Sequence, residues 1–229
     1  MPLRYQALIF DLDGTLLDTL EDLGEAVNYA LAKRGFPLHT RDEYAGMVGN
    51  GVRKLVERAL PGCPIGVGHD GKETVGHDGK EALVDECLAD FMAYYEAHID
   101  VHTHPYPGMP ELLRDLSAAG ARLAVASNKF QSGAEFLVRK IFPDIPFVAI
   151  LGNSPELPLK PDPAIVEFVL RKAGVGKDAV ALVGDSPTDM KTAENAAIPG
   201  IAVGWGYRDM CTAPVFAGAV GDLRKILFL

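Results

Sequence analysis

Asp11 and Asp13 stand two residues apart in Asp11-Leu12-Asp13-Gly14-Thr15, directly after the apolar run Ala7-Leu8-Ile9-Phe10. In a strand, residues i and i+2 point to one face. Both carboxylates can therefore face one pocket at the carboxyl end of a buried strand, where open α/β sheets bind ligands. Gly14 lets the chain turn out of the sheet. Two like charges this close repel and call for a cation or a proton between them. The spacing points to a divalent metal before any activity is considered.

Three further sets follow apolar runs in the same way: Ser127-Asn128-Lys129, Leu159-Lys160-Pro161-Asp162-Pro163 and Gly184-Asp185-Ser186-Pro187-Thr188-Asp189. In a parallel sheet all of them converge on one rim. Taken singly, each has a plain structural reading. Asp11 and Asp13 suit a strand-end turn, and Ser127-Asn128 suits a helix N-cap. Lys160 suits a solvated loop, and Asp185 and Asp189 suit the dipole of a following helix. His102-x-His104 reads as boundary polarity rather than a metal pair, and Trp205 and Tyr207 as wall or core residues.

The elements that must position these groups alternate. Strand-like runs are Ala7–Phe10, Leu123–Ala126, Phe147–Leu151, Ala179–Val183 and, more weakly, Ile201–Val203. Helical patterns cover Met109–Ala119, Ser132–Ile141, Pro163–Ala173 and Thr188–Ala197. This alternation predicts a Rossmann-like α/β fold with a parallel sheet and helices on both faces. Residues 16–105 break the rhythm, with no convincing strand and helices over Glu21–Arg34, Val52–Leu60 and Lys80–His98. Asp18-Thr19 can cap the first of these. The expectation is a core of residues 1–15 and 106–229 with an inserted helical cap of residues 16–105. Pro105-Tyr106-Pro107-Gly108 suits a stiff hinge. Within the cap, Val67–Glu73 recurs word for word as Val75–Glu81; two copies cannot make a solenoid, and a duplicated exposed loop is the simplest reading.

With 22 Lys+Arg against 31 Asp+Glu, the formal charge of −9 argues against a nucleic-acid or anionic-membrane partner. Cys63, Cys87 and Cys211 lack regular spacing and read as reduced thiols. No apolar run approaches the ~20 residues that span a bilayer, and no signal peptide is visible. The expectation is a cytoplasmic monomer or homodimer that acts on a small molecule.

Together the ordered motifs resemble those of the haloacid dehalogenase superfamily, over the whole chain from the first strand to Gly204-Trp205-Gly206-Tyr207-Arg208. The resemblance implies phosphoryl transfer. Asp11 would be the nucleophile that forms an aspartyl phosphate, and Asp13 the general acid and base. Ser127, Lys160 and the backbone of Leu12, Asp13 and Asn128 would hold the phosphoryl group. Mg²⁺ would bind to Asp11, the Asp13 carbonyl and Asp185, with Thr15 and Asp189 bracing the site.

Asp13 narrows the chemistry. Dehalogenases of the superfamily lack this aspartate, and phosphonoacetaldehyde hydrolases replace it and use a cap lysine. The resemblance therefore favours phosphate-ester cleavage. Val48-Gly49-Asn50-Gly51-Val52-Arg53 is similar to the cap of the phosphoglycolate phosphatase subgroup, which implies 2-phosphoglycolate as substrate and Gly49, Asn50, Gly51 and Arg53 near its anionic end. The duplicated loop departs from that subgroup's cap. A β-phosphoglucomutase-like reading shares the aspartate pair, and an inactive metal-binding regulatory protein is the alternative outside enzymes. An inserted cap also suggests an open and closed cycle that excludes and then admits water.

Overall fold

The computed structural model describes residues 2–61 and 77–229, with His77 and Asp78 described by their backbone only. Cys63 and the first copy of the duplicated segment lie outside the described residues, as does the start of the second copy. The chain forms two units, Met1–Asp18 with His104–Leu229, and Thr19–Thr103.

The first unit contains strands β1 (Ala7–Phe10), β2 (Leu17–Asp18), β3 (His104–Pro105), β4 (Arg122–Phe130), β5 (Ala149–Asn153), β6 (Val180–Gly184), β7 (Gly200–Val203) and β8 (Phe216–Ala217). Six of them form one parallel sheet in the order β5-β4-β1-β6-β7-β8. Counted along the chain within that sheet, the order is that of a doubly wound fold, which reverses between β1 and β6. A ligand site is therefore expected beyond the carboxyl ends of β1 and β6.

Helices α1 (Leu20–Ala32), α2 (Arg41–Met47), α3 (Val52–Ala59) and α4 (His77–His98) make up the second unit; α5 (Met109–Ala118), α6 (Gln131–Ile141), α7 (Ala164–Ala173), α8 (Pro187–Ala196) and α9 (Val220–Leu227) belong to the first. β1 is buried along its whole length, which explains an uninterrupted apolar run rather than an alternating one. Ala7 and Ile9 join Ala124, Ala126 and Leu182 in a core covered by Ile165, Val166 and Val169 of α7 and Ala193 and Ala196 of α8. By alternation Leu8 and Phe10 face the other side.

Several features correct the sequence reading. Residues 16–105 are not strand-free: Leu17 pairs with Pro105 and Asp18 with His104, antiparallel, where the chain leaves and re-enters the first unit. Strands of two residues are too short to alternate. The helix α2 was not expected, although its signal is present: the Thr40 hydroxyl accepts from Glu43 N and the Glu43 carboxylate accepts from Thr40 N, a capping box. The helix α9 and the strand β8 were also not expected. Thr19 is the N-cap residue of α1 as read, but its side chain makes no capping bond.

In the second unit, α1 presents Leu20, Leu23, Val27 and Leu31 at helical spacing and packs on α4, which supplies Val84, Cys87, Phe91 and Tyr95. The buried Asp22 carboxylate accepts from His102 N, Thr103 N and Thr103 Oγ1 at 2.7–3.1 Å. His102 thus lies in the helical unit, its ring 3.5 Å from Glu25, while His104 lies in β3 of the other.

Candidate active site

The site is built where the strand order reverses. Asp11 N donates to Val183 O at 2.9 Å, so β1 remains paired with β6 one residue past its end. The chain then turns: the amides of Thr15, Leu16 and Leu17 all donate to Leu12 O. Gly14 carries this turn at φ +86°, in the left-handed region that side chains disfavour. Asp185 and Ser186 follow β6 and lead into α8. Ser186 is the N-cap of α8 and Asp189 its third residue; each side chain bonds the other's backbone N–H. Asp189 is thus both a capping residue and part of the site.

The two lysines decide the arrangement. Lys160 Nζ donates to Asp189 Oδ1 at 2.6 Å and lies 2.8 Å from Asp11 Oδ1. It is a buried lysine, not a solvated loop residue. Asn128 anchors its backbone: Asn128 Oδ1 accepts from Lys160 N at 2.9 Å, and Asn128 Nδ2 donates to Lys160 O at 3.1 Å. Ser127 and Asn128 sit inside β4, so neither is a helix cap. The Ser127 hydroxyl accepts from Lys129 N. Lys129, absent from the sequence-based site, is also buried, and its Nζ donates to Asp13 Oδ1 at 3.1 Å. Leu12 is fully buried in the turn.

Asp185 is held from both sides. Thr15 Oγ1 lies 3.5 Å from Asp185 Oδ1, and Tyr207 N donates to Asp185 Oδ2 at 2.7 Å. The loop that carries Tyr207 approaches closely because Gly206 has no side chain: a Cβ there would lie 2.4 Å from Asp185 Oδ2 and 2.4 Å from Gly14 O. Trp205 Nε1 donates to Thr15 O at 3.1 Å, so the indole braces the same turn as a wall residue. The Tyr207 amide and Gly206 have no local sequence signature as site residues, since their role depends on a strand pairing made far along the chain.

Carboxylates outnumber ammonium groups here. Asp11, Asp13, Asp185 and Asp189 are four carboxyl groups, and Lys160 and Lys129 are the two lysines paired with members of this set among the described residues. Carboxylate oxygens of Asp11, Asp185 and Asp189 lie within 4.8 Å of one another. Burial, then the neighbouring charge of Asp189, pushes the Asp11 carboxyl up to about 8 against the pull of Lys160. Burial and Asp189 likewise push Asp185 up to about 7, opposed by the Tyr207 amide and Lys160. Burial works against the Lys160 ammonium, but Asp11 and Asp189 outweigh it and keep it protonated. An all-oxygen, buried donor set with more carboxylates than lysines fits a hard divalent cation.

The helical unit holds the remaining residues of the sequence-based site. Gly49 and Gly51 lie between α2 and α3 at φ +121° and +84°. The Asn50 carbonyl oxygen accepts from Arg58 Nη2 at 2.7 Å. The Arg53 guanidinium is paired with Asp85 at 2.5 Å and with Glu57 at 3.6 Å. Arg58, which orders this loop, was not singled out from the sequence.

Relatives match this chain along most of its length. The phosphoglycolate phosphatase of Rhodospirillum rubrum is 35% identical over 217 residues, covering 95% of this chain and 87% of its own. That of Agrobacterium fabrum is 36% identical over 88% of this chain and 82% of its own. A crystal structure from Lactobacillus delbrueckii subsp. bulgaricus, 32% identical, superposes with a TM-score of 0.88 over 98% of this chain and 99% of that one. The family described as haloacid dehalogenase-like hydrolase matches residues 5–197. With this match covering well over half of the chain, the inserted helices included, the chain belongs to the haloacid dehalogenase-like hydrolases.

Proposed function

We propose that this enzyme is a Mg²⁺-dependent phosphatase that hydrolyses a small phosphate monoester, 2-phosphoglycolate being the best-supported substrate. The observation that carries the reading is the pair of aspartates on one turn with separate lysines: Asp11 beside Lys160, and Asp13 beside Lys129. In this reading one carboxylate is the nucleophile and the other, two residues on, the proton carrier. The names of the relatives at about 35% identity support the substrate class.

In the first step an Asp11 Oδ forms a bond to phosphorus as the bond to the leaving oxygen breaks. Asp13 gives its proton to that oxygen. Lys160 offsets the charge that the phosphoryl group brings beside Asp11, and the Ser127 hydroxyl with the Asn128 amide donates to non-bridging oxygens. In the second step water attacks phosphorus, Asp13 takes its proton, and Asp11 is regenerated as inorganic phosphate leaves. Asp11, the Asp13 carbonyl and Asp185 would hold Mg²⁺, which supplies positive charge against the phosphoryl oxygens.

The test is phosphate release from 2-phosphoglycolate and a panel of phosphorylated metabolites, with and without Mg²⁺. Asp11→Asn is expected to lower turnover by at least ~10³-fold, since it removes the covalent route. Retained activity in that variant would remove the aspartyl-phosphate mechanism. Turnover only when a sugar bisphosphate is added would point to a mutase.

A further inference from the structure

Lys129 has no part in the steps above, yet it is as deeply buried as Lys160. Placing an ammonium group there costs desolvation and the rotamer freedom of a long side chain. The protein fixes it firmly. The register of β4 against β5 shifts between Ala126 and Phe130, so this stretch departs from regular pairing. Strand β5 nevertheless closes on it: a Cβ at Gly152 would lie 2.6 Å from Lys129 O. Gln131 spans the same junction, its carboxamide accepting from Gly152 N and donating to Ile150 O. The Lys129 amide is tied in turn to the Ser127 hydroxyl at 3.2 Å. The side chain that leaves this clamped backbone is 1% exposed and ends on Asp13 Oδ1 at 3.1 Å.

The two lysines divide the carboxylates: Lys160 serves Asp11 and Asp189, and Lys129 serves Asp13. Building on the phosphatase reading, we propose that Lys129 is a positioning residue for the proton-transfer step. By gripping Asp13 through Oδ1 it fixes the plane of the carboxyl group, so that Oδ2 carries the proton exchanged with the leaving oxygen. As the leaving-group bond breaks, that proton passes from Oδ2 to the alkoxide, and Asp13 remains as a carboxylate paired with the Lys129 ammonium. The ammonium keeps its own protons throughout. In the second step Oδ2 receives a proton from the attacking water.

Leaving-group dependence separates this role from a merely structural one. An alkoxide needs the proton; p-nitrophenolate leaves without it. For Lys129→Met, kcat/KM is expected to fall ~100-fold with 2-phosphoglycolate and only about threefold with p-nitrophenyl phosphate, in line with the 10²–10⁴-fold worth of a placed general acid. Lys129→Arg keeps the charge but moves the nitrogen, and an intermediate asymmetry is expected. In an Asp13→Asn background, Lys129→Met is expected to cost little more, because the two act as one unit. Equal losses on both substrates, or no loss on either, would overturn the proposal. If Lys129→Met fails to fold, Lys129→Arg decides by the same comparison. A wild-type enzyme inactive on both esters, or an active Asp11→Asn, would instead sink the phosphatase reading.

Discussion

Lys160 and Asp189 meet at 2.6 Å, the lysine side chain 2% exposed and the aspartate 0%. Asp11 lies 2.8 Å from the same ammonium, so removing the Asp189 carboxylate leaves Lys160 paired. Asp189 also bonds Ser186 N and Ser186 Oγ through Oδ2, which caps α8. Asp189→Ala is therefore expected to lose about 0.5–2 kcal/mol in urea denaturation, the worth of a cap. A loss of about 3–5 kcal/mol, that of a buried charge left unpaired, would show that Asp11 does not hold the ammonium alone.

Gly206 is expected to tolerate no side chain. A methyl group there would meet Asp185 Oδ2 and Gly14 O, both at 2.4 Å, so the loop or Asp185 must move. Displacement of this size at a reacting centre costs ~10²-fold in rate. Gly206→Ala should lower kcat/KM by about that factor and weaken Mg²⁺ binding measured by titration calorimetry. Gly176→Ala, where a Cβ meets nothing within 4 Å, is the control and should leave both unchanged.

The raised carboxyls predict how pH acts on the metal-free protein. Asp11 at about 8 and Asp185 at about 7 lie above the ~3.9 of an unfolded aspartate, so the folded state binds the extra protons between these values. Their contribution to stability is then largest below pH ~4 and is lost as pH rises through ~7 to ~8. In EDTA, thermal unfolding should show this loss on the alkaline side, and Asp185→Asn should flatten it. Added Mg²⁺ should raise the melting temperature more at pH 8 than at pH 5.5, because fewer protons must be displaced. A larger Mg²⁺ effect at pH 5.5 would contradict the reading.

Much of this molecule was legible in one dimension, for reasons that are local. Strands buried on both faces need runs such as Ala7–Phe10 and Val180–Val183, and their helices need apolar stripes, so the alternation of the doubly wound sheet is written residue by residue. Asp11, Asp13, Lys160, Asp185 and Asp189 carry a motif signal because each follows a strand, and parallel strands bring such positions to one rim. The short strands β2, β3 and β8 left no trace because two residues cannot show a period. Part of the charge pairing was beyond reach for a different reason. The motif resemblance already implies Lys160 near Asp11 and Asp189, but nothing along the chain says that Lys129 faces Asp13 across 116 residues, or that the Tyr207 amide completes Asp185. Those contacts arise from strand order, from the β4–β5 register shift and from close approach at Gly206 and Gly152. Local propensity is silent on these because they are set by how distant backbones pack.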